Sequence, residues 1–285
     1  MQKQTNKRKV HQLDILGYSG CFDFGYYHYN TVEPVLTEHN HHDVLEICYC
    51  LKGQQYYQIG SELLKLTGNT ILIVPPNVDH SSGVYPEDIG ELYWIQVSLN
   101  NNNHPVCNLP FKQSNYLLSE LTKHGGKLFS GAFRLKHILE KLNVLLEVQQ
   151  NTFGQLQVGQ LIIQLLVETL LLSEKPQQIA DTEKVKVVRN FIEGNLHRII
   201  YVDELAALID FSVPYLKMWF KQNFGVPPRS YINRLKIEKA KEDLTKKKTV
   251  TDVAFELGFG SSQYFATTFK KYTGMSPKAY KKSLQ

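Results

Sequence analysis

The chain has 285 residues, of which 42% are apolar and 21% are charged, so two domains with hydrophobic cores are expected and overall disorder is excluded. The longest apolar stretch, Leu161 to Leu172, contains Gln164 and Glu168, which argues against a membrane span. The polar N-terminus predicts no secretory signal. Four cysteines without a CxxC pair disfavour a disulfide scaffold or a zinc ribbon and predict a cytoplasmic protein.

Charge is distributed unevenly along the chain. Residues 183–285 hold 19 Lys+Arg and 10 Asp+Glu, whereas residues 1–182 hold 13 and 17. A basic third that follows a mildly acidic two-thirds indicates that the C-terminal part meets a polyanion. A solvated basic face without a partner is the alternative.

Residues 1–20 are polar and basic, and we predict a flexible arm. From about Cys21 to Leu99 the sequence is typical of β-structure, because aromatic and β-branched runs are separated by turn residues. The runs are LEICYCL, QYYQI, LLKL and TILIVPP, and KGQ, GSE and TGN lie between them. Strands at this spacing predict a sandwich or a barrel.

Two short motifs in the β region carry side chains that bind metals or polar ligands. His39 and His41 are followed by Glu46 and Gly53, and PPNVDH at 75–80 ends in another histidine. The pair resembles the two cupin motifs, HxHx4Ex6G and PxGx2H, with asparagine in place of the second motif's glycine. The resemblance implies a barrel in which three histidines and the glutamate hold one divalent cation. Imidazole and carboxylate ligands suit Fe, Mn, Zn or Ni.

A second register is also open. With the spacing HxHx3E, Asn40 and His42 would take the two histidine positions, and the cation site would be broken. Glu46, Cys48 and Cys50 alternate onto one face of their strand, so Glu46 is predicted to point into the barrel. Three interpretations follow: a bound metal, a pocket whose polar residues hydrogen-bond an organic effector, and polar residues satisfied within the core.

The hydrophobic period becomes helical from about residue 115. Leu-rich stripes predict helices at about 115–148 and 155–173. They either cover the barrel or mediate dimerisation, and one helix pair could do both. The polar segment 175–182 is predicted to be the interdomain linker.

An internal repeat with an offset of 49 residues occupies the rest of the chain. Leu208 matches Leu257, Ser212 matches Ser261, and further pairs follow at Tyr215/Tyr264, Phe220/Phe269, Gly225/Gly274, Pro228/Pro277 and Tyr231/Tyr280. Each copy predicts a short helix, a tight turn, a serine N-cap and a second helix that is apolar on one side and polar or basic on the other. This is the pattern of a helix-turn-helix. An ordinary helical hairpin is the alternative.

Residues 183–282 resemble the AraC/XylS family of transcriptional regulators. The second copy carries the family signature, which comprises Val253-Ala254, Leu257-Gly258-Phe259, Tyr264-Phe265, Phe269-Lys270, Gly274, Pro277 and Tyr280. The resemblance implies two helix-turn-helix subdomains joined by a long helix, here about Pro228 to Thr245. Each subdomain would place one recognition helix in the major groove, about one DNA turn apart.

The family's base contacts come from exposed early positions of the recognition helices. The matching residues here are Val213, Pro214, Lys217, Met218, Ser262, Gln263, Ala266 and Thr267. Among them Lys217 suits guanine, Gln263 suits adenine and Thr267 suits thymine. Basic residues predicted to contact phosphates, which position the protein without specifying a sequence, are Lys221, Arg229, Arg234, Lys270 and Lys271.

In sugar-sensing relatives an aromatic residue stacks on the sugar, and Trp94 is at a similar place; a core tryptophan is the alternative reading. Candidate effector-binding residues are His39, His41, Glu46, Tyr57, His80, Tyr93 and Trp94. The alternative divalent-metal site comprises His39, His41, Glu46 and His80, and no other cofactor is expected.

The predicted fold is α+β with two domains: a flexible arm at 1–20, a cupin-like β-barrel with a helical pair at 21–174, a linker at 175–182, and an all-α domain with two helix-turn-helix subdomains at 183–285. The predicted function is a homodimeric activator that binds double-stranded DNA, responds to a carbohydrate or related metabolite, and can contact RNA polymerase. A metal-dependent cupin enzyme, a dioxygenase or isomerase with a DNA-binding tail, is the alternative.

Overall fold

The computed structural model describes residues 6–100, 105–148, 151–175, 183–245 and 248–284. The chain divides into two compact units, the first made of residues 1–29 and 35–179 and the second of residues 30–34 and 180–285. The predicted linker, apart from Lys175, lies outside the described residues. An N-terminal β-sheet domain with helices and a C-terminal all-helical domain agree with the predicted fold class.

Ten strands belong to the described part of the first unit and its border. They are β1 (Lys7–Gln12), β2 (Cys21–Tyr29), β3 (Glu33–Val35), β4 (Val44–Ile59), β5 (Glu62–Thr67), β6 (Thr70–Val74), β7 (His80–Ser81), β8 (Pro86–Glu87), β9 (Gly90–Ser98) and β10 (Leu128–Ser130). The main sheet has the order β1-β2-β9-β4-β6-β10, with β5 and β7 also paired to β4, and β3 pairs with β8.

Two sequence predictions about these strands are wrong. The KGQ segment does not separate two strands, because β4 continues through it for 16 residues and is only bulged between Cys50 and Lys52. The first half of β4 pairs with β6 and β9, and the second half pairs with β5 and β7. The arm also contains a strand, since β1 pairs antiparallel with β2 along its whole length. Most β1 side chains are exposed, so the sequence shows no apolar alternation there.

The sheet has two apolar faces, and strand alternation sends neighbouring residues to opposite ones. One face packs against three helices, α1 (Phe111–Thr122), α2 (Phe133–Leu146) and α3 (Thr152–Ser173), and buries Ile47, Tyr49 and Tyr93 among their leucines. The other face is a separate cluster within the strands, which includes Cys48, Cys50, Tyr57 and Trp94. The predicted alternation of β4 is therefore confirmed.

Helix α3 has the length and apolar composition of a membrane-crossing segment, the one such helix in the part of the chain that the structure describes. Half of its apolar window is buried inside the first unit. Its Glu168 carboxylate lies 2.5 Å from the Arg134 guanidinium of α2, and its Thr169 hydroxyl bonds that of Tyr49 at 2.7 Å. These contacts are those of a helix packed on a sheet.

The second unit consists of seven helices in its described residues. They are α4 (Glu183–Gly194), α5 (Val202–Leu208), α6 (Val213–Phe224), α7 (Pro228–Thr245), α8 (Val250–Glu256), α9 (Ser262–Thr273) and α10 (Pro277–Ser283). Two apolar clusters lie within it, one around α5 and α6 and the other around α8 and α9, and α7 contributes to both. The repeat and the long connecting helix agree with the sequence prediction.

The two copies differ by one residue in the turn. The first helices of the two copies are offset by 48 residues. This is the distance between the left-handed residues that follow them, Asp210 (φ 57°) and Gly258 (φ 61°). The second helices repeat at 49, from Ser212 to Ser261. The predicted match of Leu208 with Leu257 is therefore wrong, since Leu208 is exposed whereas Leu257 is buried like Ile209.

Gly258, which belongs to the family signature, has a positive φ, and it has a second reason to be glycine. A Cβ at this position would lie 2.4 Å from the carbonyl carbon of Arg198. Contact that close excludes any side chain without movement of the backbone.

Candidate effector pocket and nucleic-acid interface

Three histidines from the two cupin-like motifs meet at one place in the first unit. The backbones of His39 and His80 bond to each other in both directions, N to O at 3.1 and 2.9 Å. The ring centroids of these two residues are 4.2 Å apart, and the His41 ring lies 5.1 Å from that of His39. One ring nitrogen of each of the three histidines lies within 4.8 Å of the others.

The Glu46 carboxylate completes the cluster from β4. Its Oε2 lies 3.3 Å from His41 Nε2 and accepts a hydrogen bond of 2.8 Å from Gln96 Nε2. Burial opposes the charge of Glu46, but His41, His80 and Gln96 outweigh it and lower its pKa to about 2. The hydrogen bond to Glu46 raises the pKa of His41, whereas burial lowers the pKa of His80. A carboxylate anion beside imidazoles suits a cation or the hydroxyl groups of a ligand.

The register of the first motif is settled by these contacts. His41 lies beside Glu46, while the His42 side chain is 88% exposed. The alternative HxHx3E alignment, with Asn40 and His42 in the histidine positions, is therefore wrong. Asn77 occupies the glycine position of the second motif with φ 59°, a left-handed conformation that asparagine tolerates better than most residues. Its side-chain oxygen accepts from the Asp43 backbone N at 3.1 Å.

A cavity of about 180 Å³ opens beside the cluster. It is lined by Arg8, Val10, Asp23, Tyr27, Leu36, His39, Glu46, Tyr57, Glu87, Leu92, Trp94 and Gln96. Drug-sized ligand pockets usually measure about 300–1,000 Å³, so this cavity suits a small molecule. Three carboxylates among its walls face one guanidinium and one imidazole.

Trp94 is held between two neighbours. On one side lies Gly25 of β2, where a Cβ would be 2.1 Å from the indole, so glycine is required for the ring to fit. The Arg8 guanidinium lies 4.9 Å from the ring centroid and bonds both Glu87 oxygens at 2.7 and 2.8 Å. Arg8 therefore covers the exposed aromatic surface of Trp94.

Not every predicted effector residue reaches this cavity. Tyr57 lines it, with its hydroxyl 3.2 Å from Cys48 Sγ. Tyr93 does not, because it follows the alternation of β9 onto the helical face and stacks on Tyr26 at 5.4 Å. The prediction for Tyr93 is therefore wrong, since of two adjacent strand residues only one can face the cavity.

Several cavity residues were not predicted from the sequence. Gln96 lies two residues after Trp94, so the period of β9 could have identified it. Asp23 and Glu87 belong to strands without motifs, and Arg8 belongs to the segment that we expected to be a flexible arm. Their approach depends on pairing between distant strands, which has no local signal.

The recognition helices of the second unit begin at serine caps, as predicted. Ser212 Oγ accepts from Tyr215 N at 3.4 Å, and Ser261 Oγ accepts from Tyr264 N at 3.1 Å. The predicted base-reading positions line the outer side of each helix. Exposed among them are Pro214, Lys217, Met218, Gln263 and Thr267, and partly exposed are Val213, Ser262 and Ala266.

The predicted phosphate contacts are accessible to different extents. Lys221, Lys270 and Lys271 are exposed. Arg229 is exposed and donates to the Tyr264 hydroxyl at 3.2 Å, which ties α7 to α9. Arg234 is half-buried with its guanidinium 5.2 Å from the Tyr272 ring centroid.

Lys236, which sequence analysis did not single out, links the two copies. It is buried in α7, and its Nζ donates to the backbone oxygens of Arg198 at 2.8 Å and Gly258 at 3.3 Å. Burial, with a smaller effect of the Arg198 charge, lowers the pKa of Lys236 to about 8. No sequence pattern distinguishes a lysine of this kind from its solvated neighbours.

Comparison with known proteins agrees with this architecture. Residues 26–103 match the AraC-like ligand binding domain family, and residues 205–283 match a helix-turn-helix domain family. An uncharacterized HTH-type transcriptional regulator in the cgkA 5' region of Pseudoalteromonas carrageenovora is 38% identical over 116 residues, which are 39% of this chain and 69% of that protein.

An uncharacterized HTH-type transcriptional regulator of Staphylococcus aureus is 33% identical over 153 residues, 52% of this chain. The matched part is only 20% of that relative's length. The solved C-terminal domain of the two-component response regulator yesN from Fusobacterium nucleatum is 33% identical, with 35% of this chain and 99% of that structure covered and a TM-score of 0.34.

The two units thus define a ligand-binding domain followed by a helix-turn-helix domain. The chain belongs to the AraC family of helix-turn-helix transcriptional regulators. This is a family of transcription regulators and not of enzymes, which favours the predicted regulator over the alternative of a cupin enzyme.

Proposed function

We propose that the protein is an effector-responsive transcription factor that binds double-stranded DNA through both helix-turn-helix subdomains. The observation that carries this proposal is the repetition of one arrangement. Both α6 and α9 begin at a serine cap, bury their phenylalanines and expose their early positions. Two such helices joined by α7 suit two neighbouring major-groove segments.

Base reading is assigned mainly to α9. The exposed Gln263 carboxamide suits adenine N6 and N7. The Thr267 hydroxyl donates to the Gln263 backbone oxygen at 3.0 Å, so its methyl group is available for a thymine methyl. On α6, Lys217 suits guanine. Lys221, Lys270, Lys271, Arg229 and Arg234 would contact phosphates.

Salt titration tests the DNA proposal. Affinity of the full chain for a selected operator should fall steeply between low and physiological salt, because each phosphate contact releases counterions. Binding that is insensitive to salt, or that shows no sequence preference, would contradict it.

The effector is proposed to be a sugar or a related polar metabolite that enters the cavity beside the histidine cluster. Carboxylates, the His39 imidazole and the Gln96 amide can bond hydroxyl groups, and Trp94 offers an apolar ring surface. Because Arg8 covers this surface, binding would require the Arg8 side chain to move. The contact between Arg8 of β1 and the Trp94 ring would thereby be replaced by a contact between the effector and that ring.

Fluorescence tests this assignment, since Trp94 and Trp219 are the chain's two tryptophans. Sugars that raise the melting temperature, as ligands of the folded state must, should change the emission of a Trp219→Phe variant and leave a Trp94→Phe variant unchanged. An equal change in both variants would place the ligand away from Trp94.

A divalent cation at the histidine cluster is a second candidate. The convergence of three ring nitrogens favours it, as does His80 Nε2, which is buried without a hydrogen-bond partner among the described residues. Metal analysis of the purified chain tests it, with His80→Ala as the variant and His42→Ala as the exposed control. One equivalent of metal that is lost only in His80→Ala supports the site, and metal-free protein contradicts it.

The protein is proposed to act in the cytoplasm as an activator that can contact RNA polymerase.

Homodimerisation is proposed through α2 and α3. Apolar side chains exposed on these helices support the dimer; they are Val144, Phe153, Leu156, Val167 and Leu171. Sedimentation of Leu156→Glu should give a monomer where the parent chain gives a dimer. A monomeric parent chain would exclude this interface.

A further inference from the structure

Cys21 and Cys107 are 86 residues apart in sequence, yet their sulfur atoms lie 3.9 Å from each other. Cys21 begins β2 and is buried, whereas Cys107 is partly exposed in the short 3-10 segment Val106–Asn108. A disulfide bond measures about 2.05 Å, so the two sulfurs need to approach by only about 2 Å. Rotation of the side chains can supply much of that movement.

Backbone contacts hold the two cysteines in this relation. The Cys107 backbone N donates to the Ser19 O at 2.8 Å, and the Ser19 hydroxyl bonds Pro105 O and Asn108 Oδ1. Cys107 and Asn108 both have left-handed backbones, with φ of 47° and 58°. That conformation is costly for a cysteine, and the bonds to Ser19 support it.

Two surface grooves border the pair, and the partly exposed Cys107 is the cysteine that solvent reaches. Cys21 lines a groove of about 490 Å³ with Ser19 and Ser98. Cys107 lines another of about 550 Å³ with Tyr18 and residues of α3. The Tyr18 side chain is 6% exposed, and its hydroxyl is buried without a hydrogen-bond partner among the described residues.

We propose that Cys21 and Cys107 form a redox pair that a hydroperoxide converts into an intramolecular disulfide. Cys107 Sγ attacks one peroxide oxygen, so an S–O bond forms as the O–O bond breaks. The thiol proton leaves with the other oxygen as water or alcohol. Cys21 Sγ then attacks the Cys107 sulfur; the S–S bond forms, the S–O bond breaks, and the hydroxyl leaves with the Cys21 proton as water. The two sulfurs supply the two electrons that reduce the peroxide.

The order of these steps follows from the surroundings of the two thiols. Cys107 is the thiol that an oxidant meets first, because Cys21 is only 1% exposed. The hydrogen bond to Cys107 and burial raise the pKa of the Cys21 thiol, which disfavours Cys21 as the first nucleophile. Once formed, the disulfide would join the start of β2 to the segment that packs beneath α3. This inference is independent of the effector, the metal and the DNA proposals.

The other two cysteines provide an internal control. Cys48 and Cys50 are buried in the cluster on the cavity face, and Cys48 Sγ donates to Glu46 and Tyr57. Neither is among the residues that line the two grooves beside Cys21 and Cys107. They should therefore keep their thiols under conditions that oxidise the pair.

The test treats the reduced full chain with hydrogen peroxide, counts thiols after denaturation and maps the peptides by mass spectrometry without reduction. Two of the four thiols should be lost, a peptide linking Cys21 to Cys107 should appear within one chain, and dithiothreitol should restore all four. Cys50→Ser should still lose two thiols. Cys107→Ser should lose none, and Cys21→Ser should accumulate a sulfenic acid that dimedone labels.

Peptide mapping of the parent chain decides the matter even where a variant fails to fold, which circular dichroism would reveal. The proposal is overturned if the cysteines oxidise only after denaturation. It is also overturned if the linked peptides join two chains, or if Cys107→Ser loses thiols as fast as the parent.

Discussion

The two helix-turn-helix copies use one framework with different outer surfaces. At matched positions, α6 presents Pro214 where α9 presents Gln263, and Met218 where α9 presents Thr267. Both helices have the same serine cap and a fully buried phenylalanine in the same place, Phe220 and Phe269. The shared packing accounts for the common framework, and the difference supports our proposal that base recognition is concentrated in the second copy.

The turn residues give the largest expected difference between the copies. Gly258→Asp should destabilise the second unit by roughly 2–5 kcal/mol, because it adds left-handed strain and an overlap with the Arg198 backbone. Asp210→Gly, at the matched turn position, should change stability by less than about 1 kcal/mol. Urea unfolding of both variants checks this, and equal losses would mean that the two turns are under the same constraint.

Base recognition gives the next effect. Gln263→Ala should alter the preference at one base pair by about 1–3 kcal/mol, whereas Pro214→Ala on α6 should leave every preference unchanged, because proline offers no side-chain donor or acceptor. Binding to a set of single-base operator variants measures both. A larger change for Pro214→Ala would reverse the assignment of the two helices.

Lys236 tests how the copies are joined. Its pKa is about 8 in the folded chain and near its usual 10.5 when unfolded, so the unfolded state binds more protons between these values. Stability of the second unit should therefore rise with pH, by about 1–2 kcal/mol from pH 8 to 9.5. Lys236→Met should remove this rise. If the stability of the parent chain changes over this pH interval in the same way as that of the variant, the lowered pKa of Lys236 is contradicted.

The matched lysines give the smallest effect. Lys221→Ala and Lys270→Ala should each weaken binding to all sequences alike and lower the slope of log affinity against log salt by about 1. Salt titrations of the two variants measure this. A change in sequence preference for either one would indicate a base contact instead.

Local patterns predicted the second unit well. Its helix periods and serine caps are short-range features that recur in both copies, and the turn glycine, Gly258, is a short-range feature of the second copy. One prediction there was wrong, the match of Leu208 with Leu257. The second turn contains one extra residue, and a sequence comparison at a single offset of 49 residues does not show it.

The first unit was predicted less completely, because strand pairing is long-range. Alternation placed Glu46 and Cys48 on one face, but it could not decide between His41 and His42, or between Tyr93 and Trp94. Those choices depend on which backbone groups pair, such as His39 with His80. Arg8 reaches Trp94 only because β1 joins the sheet edge, and nothing in residues 1–20 indicates that pairing.

We propose that both recognition helices bind DNA and that the second one supplies most of the sequence preference. Hydroxyl-radical footprinting of the full chain on a selected operator, with the parent and Gln263→Ala compared, is the sharpest test of this proposal. Two protected segments about 10–10.5 base pairs apart are expected. In one of them, protection by Gln263→Ala should no longer depend on the base sequence. A single protected segment, or two that respond alike to Gln263→Ala, would contradict it.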